Sequence, residues 1–63
     1  MQPHQQRVID EKNELSDKIY KLSSFRTTDM FNSLSEKEQA LLTVQLNTMI
    51  EYENILEERI QLF

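Results

Sequence analysis

The sequence predicts an all-α chain folded as an antiparallel helical hairpin with a short helical elbow, and three observations carry that reading. The 63 residues contain no glycine and one proline, Pro3. Sheet proteins reverse direction with Gly, Pro and Asn-Gly turns, and those are missing here. Apolar residues then recur at helical spacing in two long stretches separated by a short segment that holds Ser and Thr beside Phe25, Met30, Phe31 and Leu34.

The first helix is expected over residues 3–24. Pro3 suits a first helical turn, where its missing N–H has no partner to lose. Val8, Leu15, Ile19 and Leu22 fall within roughly 60° of one another at about 100° per residue, which makes one apolar stripe. Glu14 with Lys18 and Asp17 with Lys21 are acid-first pairs at i,i+4, each adding a few tenths of a kcal/mol.

The elbow is expected over residues 25–34. Thr27 or Thr28 is placed to cap a short turn spanning Asp29 to Ser33. Phe25, Met30, Phe31 and Leu34 are too apolar for a solvated linker and read as a plug closing the end of the hairpin.

Ser35-Glu36-Lys37-Glu38 has the spacing of a capping box. The second helix follows over residues 36–62. Its main stripe reads Leu42, Met49, Leu56 and Phe63 at seven-residue spacing, joined by Leu46, Tyr52 and Ile60. Such a repeat favours lengthwise packing against another helix at a shallow angle. Leu15, Ile19, Leu22, Leu42, Met49 and Leu56 are the expected mutual core.

Each helix also carries apolar residues that its main stripe leaves unexplained. Ile9 and Tyr20 lie about 100° away from the first stripe. Val44, Ile55 and Leu62 share a line on the second helix. A chain of this length folds as one small domain that buries only about 60% of its unfolded surface and needs outside help. With no cysteine for disulfides, association is the remaining source of that help. Ile9, Tyr20, Val44, Ile55 and Leu62 are therefore the expected interface, and a dimer forming a four-helix bundle is the simplest closed assembly.

Composition also bounds the chemistry. No cysteine means no thiol catalysis and no zinc–thiolate site, and the only histidine, His4, stands next to Pro3. No cofactor, metal site or catalytic residue is expected. The adjacent Glu57 and Glu58 point about 100° apart on a helix and cannot share a proton. Lacking a nucleophile with its base, the chain reads as a binding protein rather than an enzyme.

Nucleic acid is not expected as a partner. Arg7, Lys12, Lys18, Lys21 and Arg26 are interleaved with Asp10, Glu11, Glu14 and Asp17, which makes a solvated face rather than a phosphate-binding stripe. The whole formal charge of −4 falls in residues 32–63, where Lys37 and Arg59 stand against six glutamates. Those carboxylates are spread around the helix, so they do not imitate a phosphate line. No run approaches the ~18 apolar residues of a membrane span, and the opening residues do not read as a secretory signal.

With the helices placed, the wording itself becomes informative. Pro3 to Leu15, then Phe31, then Gln45-Leu46, Met49-Ile50-Glu51-Tyr52 and Ile55 to Ile60 resemble a family of small phage proteins. The whole chain resembles the 63-residue accessory proteins of the exo–xis early region of lambdoid phages. More loosely it is similar to the helical hairpin domain of phage anti-CBASS and anti-Thoeris sponge proteins. These sequester cyclic-nucleotide alarm signals as oligomers. The resemblance implies an early protein acting in the host bacterial cytoplasm on host takeover or the lytic–lysogenic choice. The leading expectation is an accessory protein that binds a host or phage protein through a helical surface. The alternative is an oligomeric sponge for a cyclic nucleotide, which needs Arg7, Lys18, Lys21, Arg26 or Arg59 to converge between subunits.

Overall fold

The computed structural model describes all 63 residues and contains three helices: α1 (Pro3–Phe25), α2 (Asp29–Asn32) and α3 (Glu36–Gln61). There is no strand. The long helices form because nothing in either stretch interrupts them, and each ends where side chains take over the unpaired backbone groups. At the end of α1, the Thr27 and Thr28 hydroxyls donate to the carbonyls of Ser24 and Phe25 at 2.7 and 2.6 Å. The Thr28 oxygen also accepts the Phe31 N–H at 3.3 Å, which caps α2.

Ser35 opens α3 in the same way, its hydroxyl accepting the Glu38 N–H at 3.2 Å. The reciprocal half of the expected capping box does not form. Glu38 stays in solvent, and Gln39 serves the elbow instead, its amide donating to the carbonyls of Asn32 and Leu34 at 3.3 and 3.0 Å. One side chain thereby ties α2 and the linker to the first turn of α3.

α1 and α3 lie antiparallel, as their cross-pairs show: Ser16 meets Glu53, Lys12 meets Glu57, and Glu11 meets Tyr52. Val8, Leu15 and Leu56 form the buried cluster, with Ile19, Met49 and Ile60 packed against it. Leu56 is fully buried at the centre. Toward the elbow, Phe31 and Leu46 are the other two buried side chains, for five in all. Leu22 and Leu42, expected in the core, are only half-buried.

Three expected apolar contacts fail for identifiable reasons. Met30 is 71% exposed, because a four-residue helix has room to turn only one face inward and Phe31 takes it. Phe63 lies beyond the last residue of α3, so it loses the phase of the heptad and is exposed. Tyr52 stands on the flank of the stripe, where its hydroxyl reaches Glu11 while the ring remains accessible. Phe31 itself is well seated. Its ring meets Phe25 edge-to-face, with centroids 6.0 Å apart at 88°, and the Arg26 guanidinium lies 6.0 Å from its centroid.

Candidate binding faces

The inner face of α3 has a regular phase. Leu42, Leu46, Met49, Glu53, Leu56 and Ile60 alternate steps of four and three, and every one is buried or half-buried. Glu53 thus occupies a seam position, although it reads in the sequence as one of several surface acids. The Ser16 hydroxyl donates to its carboxylate from α1. The same alternation of steps that placed the leucines would have placed Glu53.

Beside it, the Lys12 ammonium sits 3.5 Å from the Glu57 carboxylate. Glutamates near a helix C-terminus are locally unfavourable, and a cation from α1 offsets one of them. Gln5, Ile9, Lys12 and Ser16 are all half-buried along this flank. Ile9 is therefore partly covered within the hairpin. Of the two acid-first pairs expected on α1, Asp17–Lys21 closes at 3.0 Å. Glu14 and Lys18 stay apart.

A third polar link joins the helices on the other side, where the Tyr52 hydroxyl donates to the Glu11 carboxylate. This hydrogen bond, with lesser contributions from burial and from the Glu11 charge, raises the Tyr52 pKa above its ordinary 10.0, and nearby Arg59 opposes the shift. A phenol with a raised folded-state pKa contributes stability that is complete below its unfolded value. That contribution is lost as pH rises through the folded value. In a Tyr20→Phe background only Tyr52 titrates. Its ultraviolet ionisation midpoint is expected to lie above 10.0 and to fall when Glu11 becomes Gln. An unmoved midpoint in Glu11→Gln would show that the Glu11 link does not form.

The outer surface is a different matter. Tyr20 is 72% exposed on α1, while Val44, Ile55 and Leu62 on α3 are 61%, 54% and 86% exposed. The structure adds a residue that the sequence reading passed over: Leu41, 59% exposed, continues the same α3 line. Leu41, Val44, Thr48, Glu51, Ile55, Glu58 and Leu62 step alternately by three and four along the side of α3 turned away from α1. Leu41 was discoverable from that spacing once Val44 and Ile55 had been singled out.

Neither face encloses anything. A single copy has no pocket, no cluster of His, Cys, Asp and Glu able to hold a metal, and no helix long and apolar enough to cross a membrane. Two cations, Lys12 and Lys21, are held in ion pairs. Arg7, Lys18, Arg26, Lys37 and Arg59 have no carboxylate within 4.0 Å.

A protein-family model described as Sequestin matches residues 2–62, which takes in both long helices and the elbow. The chain belongs to the Sequestin family. The match covers the Lys12–Glu57, Ser16–Glu53 and Glu11–Tyr52 links together with the outer line from Leu41 to Leu62, so the whole hairpin is the Sequestin unit. Searches of curated proteins and of solved structures return no match to the chain.

Proposed function

We propose that this chain is a sequestering protein that holds a small signalling nucleotide between copies of itself and so withholds it from its receptor. The observation that carries the reading is membership of the Sequestin family across residues 2–62. It shifts the weight from the protein-binding helical surface expected first to the capture role expected second. The resemblance to phage sponge hairpins points the same way. We place its action in the cytoplasm of an infected bacterium, the setting that the resemblance implies.

The physical support is twofold. A rod with no pocket of its own can enclose a small molecule only where copies meet. Arg7, Lys18, Arg26 and Arg59 carry positive charge that no internal carboxylate neutralises, so they are free to meet phosphate. Lys21 leaves the earlier candidate set because Asp17 holds it. The role is binding, with no chemistry done on the ligand.

The test is a thermal-shift panel of cyclic di- and trinucleotides. A ligand present at about 100 times its dissociation constant stabilises the folded state by about 2.7 kcal/mol, which in so small a domain raises Tm by roughly 10 °C or more. One nucleotide is expected to do this and the others to leave Tm unchanged. If no nucleotide shifts Tm while a bacterial protein is retained stoichiometrically on the immobilised chain, the protein-binding reading replaces this one.

A further inference from the structure

We infer that α3 pairs antiparallel, along its outer line, with α3 of a second copy, so that the helices of the dimer stand in a row as α1, α3, α3, α1. The inference goes beyond the sequestering role and requires no ligand.

Its first support is the shape. The radius of gyration is 14.5 Å and the extents are 46 × 14 × 13 Å, against a radius of roughly 10.6 Å for a compact chain of this length. The accessible surface of 4940 Å² exceeds the roughly 4300 Å² of a globular protein of this mass. Leu41, Val44, Ile55 and Leu62 put four side chains more than half exposed on one line, with Thr48, Glu51 and Glu58 between them.

The spacing selects what covers it. Steps of three and four average 3.5 residues, the period at which two helices stay in contact over several turns. A second α3 has that period by identity. From Leu41 to Leu62 the strip runs about 31 Å, and burying it yields on the order of 600 Å² per copy, at the low end of specific interfaces. A dimer forming at micromolar concentration fits that area.

The two glutamates on the line decide the direction. In a parallel pair, Glu51 would face Glu51 and Glu58 would face Glu58, like charges at one level. In the antiparallel pair with Val44 level with Ile55 of the second copy, the like charges are staggered instead: the two Glu51 are offset by three residues, about 4.5 Å along the axis, and the two Glu58 stand at opposite ends. Glu51 comes level with Thr48, and Glu58 comes level with Leu41, one turn from Lys37. Lys37 makes no ion pair within its own chain. The helix dipoles also oppose each other favourably in this arrangement.

This line lies roughly 150° around α3 from the inner seam, counted at 100° per residue. The four helices consequently form a row, Ile9 and Tyr20 fall outside the contact, and Arg7, Lys18 and Arg26 stay with α1 at the ends of the row, where the nucleotide-holding contact with a further copy would lie.

Sedimentation equilibrium without any nucleotide tests the pairing separately from ligand capture. The parent is expected to approach twice its 7.6 kDa mass as concentration rises through the micromolar range. Val44→Glu and Ile55→Glu should weaken association by roughly 100-fold and lower Tm with it, although neither removes a contact inside a single copy, where both residues are exposed. Tyr20→Glu should change nothing. Lys37→Glu should weaken association about two- to fivefold, and adding Glu58→Lys should restore it. Because the chain has no cysteine, a Val44→Cys/Ile55→Cys variant gives an independent reading. Mild oxidation should convert it to a covalent dimer, whereas Tyr20→Cys should remain monomeric. A parent that stays at monomer mass at all concentrations overturns the inference. So does a dimer that survives Val44→Glu, or one that cross-links through Tyr20→Cys instead.

Discussion

Leu56→Ala is expected to unfold most of the molecule at room temperature. Leu56 is fully buried, and it forms the buried cluster together with Val8 and Leu15. Removing its side chain forfeits the transfer energy and leaves a cavity, about 2–5 kcal/mol together. A chain of this length has in total only about 3–9 kcal/mol to lose. Helical circular dichroism should collapse, and any transition that remains should move to much lower urea. Leu42→Ala is the comparison, because Leu42 shares the inner face but is only half-buried. Its loss should be distinctly smaller. Equal losses at the two positions would mean that the seam of α3 is misassigned.

Phe31→Ala is the second large effect, at about 3–5 kcal/mol. Phe31 is the one buried side chain of the elbow. Its edge-to-face contact with Phe25 alone is worth about 0.5–1.5 kcal/mol. Without it, the open end of the hairpin is held by the Gln39 hydrogen bonds and the Thr28 and Ser35 caps. Phe31→Leu should recover most of the loss, since an apolar side chain still fills the space. Met30→Ala, on the neighbouring exposed residue, should leave the urea midpoint within about 0.5 kcal/mol of the parent. Comparable losses for Met30 and Phe31 would show that the plug is read on the wrong side of α2.

Most of this fold is legible in the residues because each level of the sequence agrees with the others. The stretches without breakers became helices, the Thr and Ser residues became caps, and the stripes of Val8, Leu15 and Leu56 met. What escaped was the behaviour of residues whose chemistry argues against their position. Glu53 looks like a surface acid, yet the four-and-three spacing of its neighbours puts it in the seam, where Ser16 supplies a hydroxyl. Met30 looks like part of the plug, and only the brevity of α2 reveals that one apolar residue there must point outward. Phe63 keeps the seven-residue spacing but not the helix that gives the spacing its meaning.

The candidate binding surface was legible in a more limited way. Val44, Ile55 and Leu62 stand out because no internal partner exists for them, and the exposed positions of all three leave that surface open. Ile9 belonged to the same expectation, but sequence periodicity does not register how wide a flank a facing helix covers. Gln5, Lys12 and Ser16 are half-buried alongside it. A ligand held between copies leaves still less trace, because its contacts would come from residues that are merely exposed and charged in each copy.

The central claim is that copies of this chain capture a nucleotide that a single copy cannot enclose. Native mass spectrometry with the nucleotide that gives the largest thermal shift measures it directly. The account predicts nucleotide on dimers or larger assemblies only, at no more than one per two chains. A 7.6 kDa monomer carrying one nucleotide, or assemblies that carry none, would contradict it.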